Sequence, residues 1–421
     1  MALGAGVVLA SGVFAPVAAQ AATPATLYVS QGGLDSGTCT SASPCASVSY
    51  ALTKAASGAT IEVSGTINDH LTISSPVTIT TWPSGPAGSP AVLDGTASGA
   101  VVTVGQLVTA TLHDLTIEHG SLGILDEGTL TLTDSTVTGN ATVAEPYAGI
   151  WNYTGGTTTI VDSTVTKNSG NGVAGAGIDN NGTMTVIAST ISGNTGGGIY
   201  SGQFDTASLG ATIVAGNTGS NCSAYDAGSL ASAGYNLTND TTGAACAFTA
   251  ATDLVNKNPL LGPLANNGGP TQTMLPGGKS PAGDVIPNPT TLRGIAVCPG
   301  TDQRGVARPG RGETRCTVGA VEVGFTNSTT TSVTLIPTTA TAGTRVVYLA
   351  GVTPKSGTGT PTGTISFSTG TTKLCTAALS GGAGACGATN TPAGTDTVTA
   401  TYSGGGGYAK SSGTATLTVT P

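Results

Sequence analysis

Residues 135–217 carry one short motif four times: Ser135-Thr-Val-Thr-Gly-Asn140, Ser163-Thr-Val-Thr-Lys-Asn168, Ser189-Thr-Ile-Ser-Gly-Asn194 and Thr212-Ile-Val-Ala-Gly-Asn217. The closing asparagines lie 28, 26 and 23 residues apart. A Gly-Ile pair accompanies each unit, at 123–124, 149–150, 177–178 and 198–199. So does an alternating run, as in Thr129-Leu-Thr-Leu-Thr133, Thr157-Thr-Thr-Ile160 and Thr183-Met-Thr-Val186. Self-similarity at such a period marks a repeat architecture. The alternation has a period of two, not 3.6, so each unit holds three short strands and a helical solenoid is excluded. Strands at this density, with no helix long enough for a crossover, predict the coils of a parallel β-helix.

Stacking then assigns roles to positions. Val137, Val165, Ile191 and Val214 form one inward aliphatic ladder, and Ile124, Ile150, Ile178 and Ile199 another. Asn140, Asn168, Asn194 and Asn217 form an amide ladder at one turn, because an amide both donates and accepts. Asparagine also tolerates the left-handed backbone that such a turn needs.

Composition agrees with an all-β reading. Charged residues are 8% of the chain and glycine is 65 of 421, whereas long surface helices want Glu, Lys, Arg and Leu. Recurrent Val, Ile and Leu exclude a highly charged disordered chain. Residues 1–290 hold 4 Lys, no Arg and 17 acids, within a net charge of −8. A polyphosphate partner wants a dense basic face, so nucleic-acid binding is not expected.

Residues 1–21 are apolar and end in small residues, and Ala19-Gln20-Ala21 fits an A-x-A cleavage site. They read as a signal peptide, with a mature start near Ala22 and no transmembrane segment in the mature chain. The cysteines group in order as Cys39 with Cys45, Cys222 with Cys246, Cys298 with Cys316 and Cys375 with Cys386. Proximity predicts four local disulfides in an oxidising compartment. Zinc would need C-x₂₋₄-C spacing or nearby histidines, and the three histidines stand at 70, 113 and 119. No metal or cofactor is expected.

A solenoid must cap its ends. Ser43-Pro44 reads as the N-cap and first residue of a helix over 45–56 that plugs the N-terminal end. Leu27-Tyr28-Val29-Ser30, Cys39, Cys45 and Ser57-Gly-Ala-Thr-Ile-Glu-Val63 resemble the start of secreted bacterial right-handed β-helix proteins of the pectin-lyase-like fold. The stretch Asn258-Pro-Leu-Leu-Gly-Pro-Leu-Ala-Asn-Asn-Gly-Gly-Pro-Thr-Gln-Thr273, with Lys279-Ser-Pro-Ala282, Asp302-Gln-Arg-Gly-Val-Ala-Arg-Pro309 and Cys316-Thr-Val-Gly-Ala-Val-Glu322, resembles the choice-of-anchor Q module of bacterial surface β-helix proteins. The resemblance spans roughly 22–322 and implies a secreted or surface β-helix without a settled activity. The family's acidic residue is replaced by Asn258, and its "PAIDAG" by Pro281-Ala-Gly-Asp284.

The organisation expected is a β-helix over 22–325, a polar linker over 326–331 and a β-sandwich over 332–421. Ser332-Val-Thr-Leu335, Arg345-Val-Val-Tyr348, Gly363-Thr-Ile-Ser-Phe367 and Asp396-Thr-Val-Thr-Ala-Thr-Tyr402 are its alternating strands. The segment from Gly394 to Gly404, with Tyr408-Ala-Lys-Ser-Ser412, resembles bacterial Ig-like repeats of surface proteins; Gly405 stands where that family has an acid.

The chemistry is sparser. β-Helix lyases pair carboxylates with an Arg or Lys base, but Lys167 is the only base within the coils. Polygalacturonase-like hydrolases need clustered Asp and a Gly-His-Gly, to which Glu118-His119-Gly120 is the nearest match. Asp134 and Asp162 fall one coil apart, where two like charges either hold a cation or raise one pKa. The residues after the ladder isoleucines, Trp151, Asp179 and Tyr200, point outward, with Tyr153 on the same face as Trp151. Aromatic rings stack on sugars and an acid accepts hydroxyl hydrogen bonds, so these four are candidate glycan-binding residues. The outward pairs Thr129 and Thr131, Thr157 and Thr159, and Thr183 and Thr185 form a T-x-T array of the kind that orders water and binds ice, ending at Ala207-Ser-Leu209; threonine is also simply a good exposed strand residue.

The reading is a secreted or cell-surface bacterial protein, monomeric, with a structural or adhesive role and a carbohydrate or cell-wall polymer as partner. No catalytic residue is assigned. A polysaccharide lyase or glycoside hydrolase is the alternative.

Overall fold

The computed structural model describes residues 26–83, 90–172, 175–203, 205–225, 229–310, 313–323, 329–355, 360–405 and 408–421. The signal-peptide reading of 1–21 lies outside them. Among the described residues the protein is all-β apart from one short helix and one 3₁₀ turn. Three parallel sheets run the length of the first part. A first sheet of nine strands begins at Thr26–Ser30 and ends at Leu230–Gly234; a second of seven runs from Thr66–Asn68 to Ile213–Ala215; a third of seven runs from Leu71–Ile73 to Cys222–Ala224. The chain visits first, second and third sheet in turn and then starts the next coil, so this is a parallel β-helix.

Register follows the repeats. Val137 pairs with Val165, Val165 with Ile191 and Ile191 with Val214, all fully buried. Ile124, Ile150, Ile178 and Ile199 pair likewise. The amide ladder forms: Nδ2 of Asn140, Asn168 and Asn194 donates to Oδ1 of Asn168, Asn194 and Asn217 at 3.0, 3.0 and 2.9 Å. The same oxygens also accept the backbone N–H of the preceding ladder residue. The ladder explains the Gly-Ile motif. A Cβ on Gly123, Gly149, Gly177 or Gly198 would lie 2.7–3.0 Å from a ladder Nδ2 and closer still to the next coil's backbone oxygen. The left-handed residue of this turn, however, is not the asparagine. It is the residue before it: Gly139, Lys167, Gly193 and Gly216, with φ of 57–70°. The asparagine keeps ordinary backbone so that its amide can aim along the stack.

A second ladder sits at the first-to-second sheet corner. The N–H groups of Leu115, Ser135 and Ser163 donate to the hydroxyls of Ser135, Ser163 and Ser189 at 3.1–3.2 Å. Residues just before those serines, Asp134, Asp162 and Ala188, are left-handed.

The N-terminal helix is shorter than expected, Val48–Leu52, and is capped by Ser47, whose Oγ accepts from Tyr50 N–H. Ser43 is not its cap, because Cys45 is still extended and bridges to Val29. Val48 and Ala51 are buried against the first coils.

All four expected disulfides are present: Cys39 with Cys45, Cys222 with Cys246, Cys298 with Cys316 and Cys375 with Cys386. No cysteine is free among the described residues. The first pins the entry to the capping helix. At the far end of the coils, the bridge from Cys222 to Cys246 and buried Phe248 close the axial core.

Residues 258–323 do not add a coil. They form short antiparallel pairs that lie against the outside of the second sheet. Gln303, fully buried, donates from Nε2 to Thr136 Oγ1, Thr271 Oγ1 and Ser135 O, and accepts from Thr164 Oγ1 at 2.6 Å. Thr136 Oγ1 donates to Gln272 O at 2.6 Å, and Ala320 N–H to Thr190 Oγ1. Ile187, Ala211 and Ile213, outward on the late coils, are covered by Ala282, Ile286, Leu292 and Val318.

The C-terminal part is a sandwich of a three-stranded and a five-stranded sheet around Tyr348, Phe367, Val398, Tyr402 and Leu417. Cys375 lies in strand Thr372–Ala378 of the larger sheet and Cys386 in strand Ala383–Ala388 of the smaller, so their disulfide ties the two layers together. Its first strand is Thr329–Ile336, so Thr329–Thr331, expected in the linker, belong to the sandwich. The rest of that linker lies outside the described residues. Among the described residues, no helix is long and apolar enough to cross a membrane.

Candidate functional site

The third sheet brings the outward residues into line. Trp151 is the register partner of Asp179, and Asp179 of Tyr200. The column is not an open platform. Tyr147, from the loop entering Ile150–Asn152, stacks on one face of the Trp151 indole with ring centroids 3.9 Å apart and planes 15° apart. Tyr153 meets the indole edge-on at 5.0 Å and is the ring most open to solvent, at 38%. The Trp151 Nε1 is buried with no acceptor among the described residues. Asp179 is buried under the 175–177 turn, where a Cβ on Gly175 would lie 3.1 Å from its Oδ2. Desolvation by that burial lifts its carboxyl to about 6, against the hydrogen bond from Asn181 Nδ2. Asp179 therefore cannot serve a ligand's hydroxyls. The usable surface is a ring cluster of Tyr147, Trp151 and Tyr153, with Tyr200 half-buried two coils on. Tyr147 was not singled out from sequence, because it lies in an irregular loop with no period to place it.

Beneath Asp179 runs a buried polar column. Asn152 Nδ2 donates to Asn180 Oδ1 at 2.6 Å, and Asn180 Nδ2 to Ser201 Oγ at 3.0 Å. Fully buried Asp126 heads it, accepting from Thr158 Oγ1 at 2.7 Å.

The loop that carries Tyr147 begins at a cleft of about 380 Å³, lined by Asn68, Asp94, Thr96, His119, Gly139 and Ala141 among others. Asp94 and Glu118 are register partners on neighbouring coils. His119 Nδ1 lies 2.9 Å from Asp94 Oδ2 and 3.8 Å from Glu118 Oε1. Burial pushes Asp94 up, but hydrogen bonds from His119 and Thr96 N–H outweigh it and hold the carboxyl low. Burial raises Glu118 despite the charge of His119. The Asp94 hydrogen bond raises His119. The two neighbouring carboxyls are thus shifted in opposite directions. The sequence offered only Glu118-His119-Gly120; Asp94 sits 25 residues earlier than His119, one coil away, in a region without the asparagine motif to align it.

A second cluster, His113, Asp114 and Asp134, lies at the first-to-second sheet corner, with His113 3.2 and 3.3 Å from the two carboxylates. The Asp134 hydrogen bond raises His113, and burial raises Asp114. Both clusters bring together groups with metal-ligand chemistry, and in each the histidine is held against the carboxylates. Asp162 is not a solvated turn residue. Arg308, fully buried, reaches over from the flanking segment with Nη2 3.0 Å from Asp162 Oδ1. Burial still lifts Asp162 to about 7, because desolvation exceeds the Arg308 attraction. The remaining charged motif of that segment is internal: Arg304 pairs with Asp302 at 2.6 Å, and Glu322 accepts from Thr317 N–H.

Residues 333–420 match the family Bacterial Ig-like domain (group 3), so the sandwich is an Ig-like domain. Neither a curated protein nor a solved structure matches the chain.

Proposed function

We propose that this is an extracellular surface protein whose β-helix holds carbohydrate at the Tyr147–Trp151–Tyr153 corner, with the Ig-like domain as a spacer. The observation that carries the reading is that ring cluster, packed ring on ring and leaving Tyr153 open. Rings already immobilised by one another lose little freedom when a sugar face stacks on them. Four disulfides fit an oxidising compartment. The resemblance of residues 22–322 to secreted pectin-lyase-like β-helices with a choice-of-anchor Q module supports a surface role.

The test is affinity electrophoresis of the full chain against a panel of neutral and acidic polysaccharides. Tyr153→Ala should weaken retention by about fivefold, the equivalent of the ~1 kcal/mol of one ring contact, with the melting temperature unchanged. Retention of the Tyr153 variant equal to the parent on every polysaccharide bound, or no polysaccharide bound at all, overturns the reading.

The cleft of Asp94, Glu118 and His119 favours a second reading, glycosidic-bond cleavage. Paired carboxyls whose environments drive their pKa values apart are suited to acid and base roles. Release of reducing ends by the parent and not by Glu118→Gln would replace the binding role with this one.

A further inference from the structure

The outer face of the first sheet carries a two-column hydroxyl grid, longer than the sequence alone indicated, beside a third outward column of His113, Thr133, Val161 and Ile187. Thr109, Thr129, Thr157, Thr183 and Thr206 are register partners in one column. Thr111, Thr131, Thr159, Thr185 and Ser208 form the other. Ten outward positions on five consecutive coils thus hold nine threonines and one serine, with no charged or aromatic side chain among them. The first column is exposed and the second half-buried, as expected of the middle of a flat sheet.

The hydroxyls on this face are uncommitted. On the second sheet, Thr136, Thr164 and Thr190 each bond to the flanking segment. On the first sheet, none of the nine threonine hydroxyls bonds to a protein group among the described residues. The grid ends where the flanking segment returns and Arg293 Nε donates to Ser208 Oγ at 2.7 Å. Threonine is stiff about χ1, and parallel stacking repeats one geometry on every coil. Hydroxyls and methyls therefore recur about every 4.8 Å across the strands and about 6.6 Å along them.

A disordered polymer cannot match a regular, neutral, two-dimensional grid, and a sugar would want the aromatic rings that these ten positions lack. A neutral crystalline lattice of hydrogen-bonding oxygens shares these properties: it is uncharged, repeats in two dimensions and offers partners to unpaired hydroxyls. The face would lose little side-chain entropy on binding, because threonine has one side-chain torsion and is stiff about it. We propose that the first-sheet face binds ice, a surface separate from the carbohydrate corner on the third sheet.

The experiment is partition of the full chain into slowly grown polycrystalline ice, with thermal hysteresis measured in parallel. The parent should concentrate in the ice and shape its crystals. Thr159→Lys, at the centre of the grid, should lower partition about tenfold or more, because an ammonium must be dehydrated against a neutral surface. Circular dichroism should be unchanged. Should Thr159→Lys fail to fold, Thr131→Val, which keeps shape and loses the hydroxyl, is read instead and should reduce hysteresis. Tyr153→Ala should partition as the parent does. Exclusion of the parent from ice, or undiminished partition of the folded grid variants, overturns the proposal.

Discussion

Asn168→Leu tests whether the amide ladder stabilises the β-helix or merely decorates it. Asn168 Oδ1 accepts from Asn140 N at 3.2 Å and Asn140 Nδ2 at 3.0 Å, while its Nδ2 donates to Asn194 Oδ1 at 3.0 Å and Val137 O at 3.1 Å. Leucine removes all four bonds. Some partners are rescued: Asn140 Nδ2 still reaches Ile117 O and Thr138 O, and Asn194 Oδ1 still accepts Asn168 N. The Asn140 backbone N–H is left with no acceptor in a fully buried turn. One orphaned buried donor costs about 1–3 kcal/mol, and each bond not replaced about 1 kcal/mol net. The added apolar group regains little, since the space beside Asn168 is so tight that even a Cβ on Gly149 would lie 3.0 Å from its Nδ2. The expected loss is about 2–4 kcal/mol. Both tryptophans, Trp82 and Trp151, lie in the β-helix and none in the Ig-like domain. Urea unfolding followed by tryptophan fluorescence therefore reads the β-helix alone. Asn171→Leu, three residues on and exposed, is the control and should shift nothing. A loss for Asn168→Leu no larger than that of the control would refute the ladder as a source of stability.

Two further outcomes follow from the buried polar groups. Gln303→Ala removes three hydrogen bonds between the flanking segment and the coils and one within the segment, to Thr271, so limited proteolysis within 258–322 should accelerate at least tenfold while the Ig-like domain stays intact; an unchanged cleavage rate would count against the docking described. Asp179 has its folded pKa raised from 3.8 to about 6. The protonated form is the one the fold prefers, so this stability is present below pH 4 and lost as pH rises through 6. Asp179→Asn should flatten that part of the stability–pH curve, gaining on the order of 2–3 kcal/mol at pH 7 over the parent; a variant curve parallel to the parent's would show that Asp179 is not the group responsible.

What could be read from the sequence was what repeats. The inward ladders, the asparagine ladder, the Ig-like strands and the four disulfides each left a periodic or close-range mark; Cys375 and Cys386, for instance, stand 11 residues apart. What could not be read depends on contacts without a period. Thr136 and Gln272, or Asp162 and Arg308, are more than a hundred residues apart, and nothing in either segment encodes the meeting. The Tyr147 stack arises in an irregular loop. It changes the meaning of Trp151, from a bare outward ring to the middle of a cluster. Asp179 has the outward register that alternation assigned, yet a glycine turn roofs it, so register alone did not decide exposure. The short helix was misplaced for a similar reason: Ser43-Pro44 is a fair start signal, but strand pairing at Cys45 overrides it.

The asparagine ladder has a direction. Every Nδ2 from Asn140 to Asn217 donates toward the C-terminal end, and the run continues through Asn221 Oδ1. The orientation is enforced, because each Oδ1 also accepts a backbone N–H, which can only donate. Side-chain amide dipoles thus add head to tail along the axis, as peptide dipoles do in an α-helix, and each bond polarises the next. The positive end of the row must meet something. Asn221 Nδ2 donates to Asp240 Oδ1 at 2.7 Å and to Asn239 Oδ1 at 2.8 Å, so a carboxylate terminates the row as an acidic N-cap terminates a helix. At the other end, Asn140 Oδ1 takes the N–H of Gly120 at 2.8 Å. The solenoid therefore carries a side-chain polarity along its length, fixed by the amides and closed at its positive pole by Asp240.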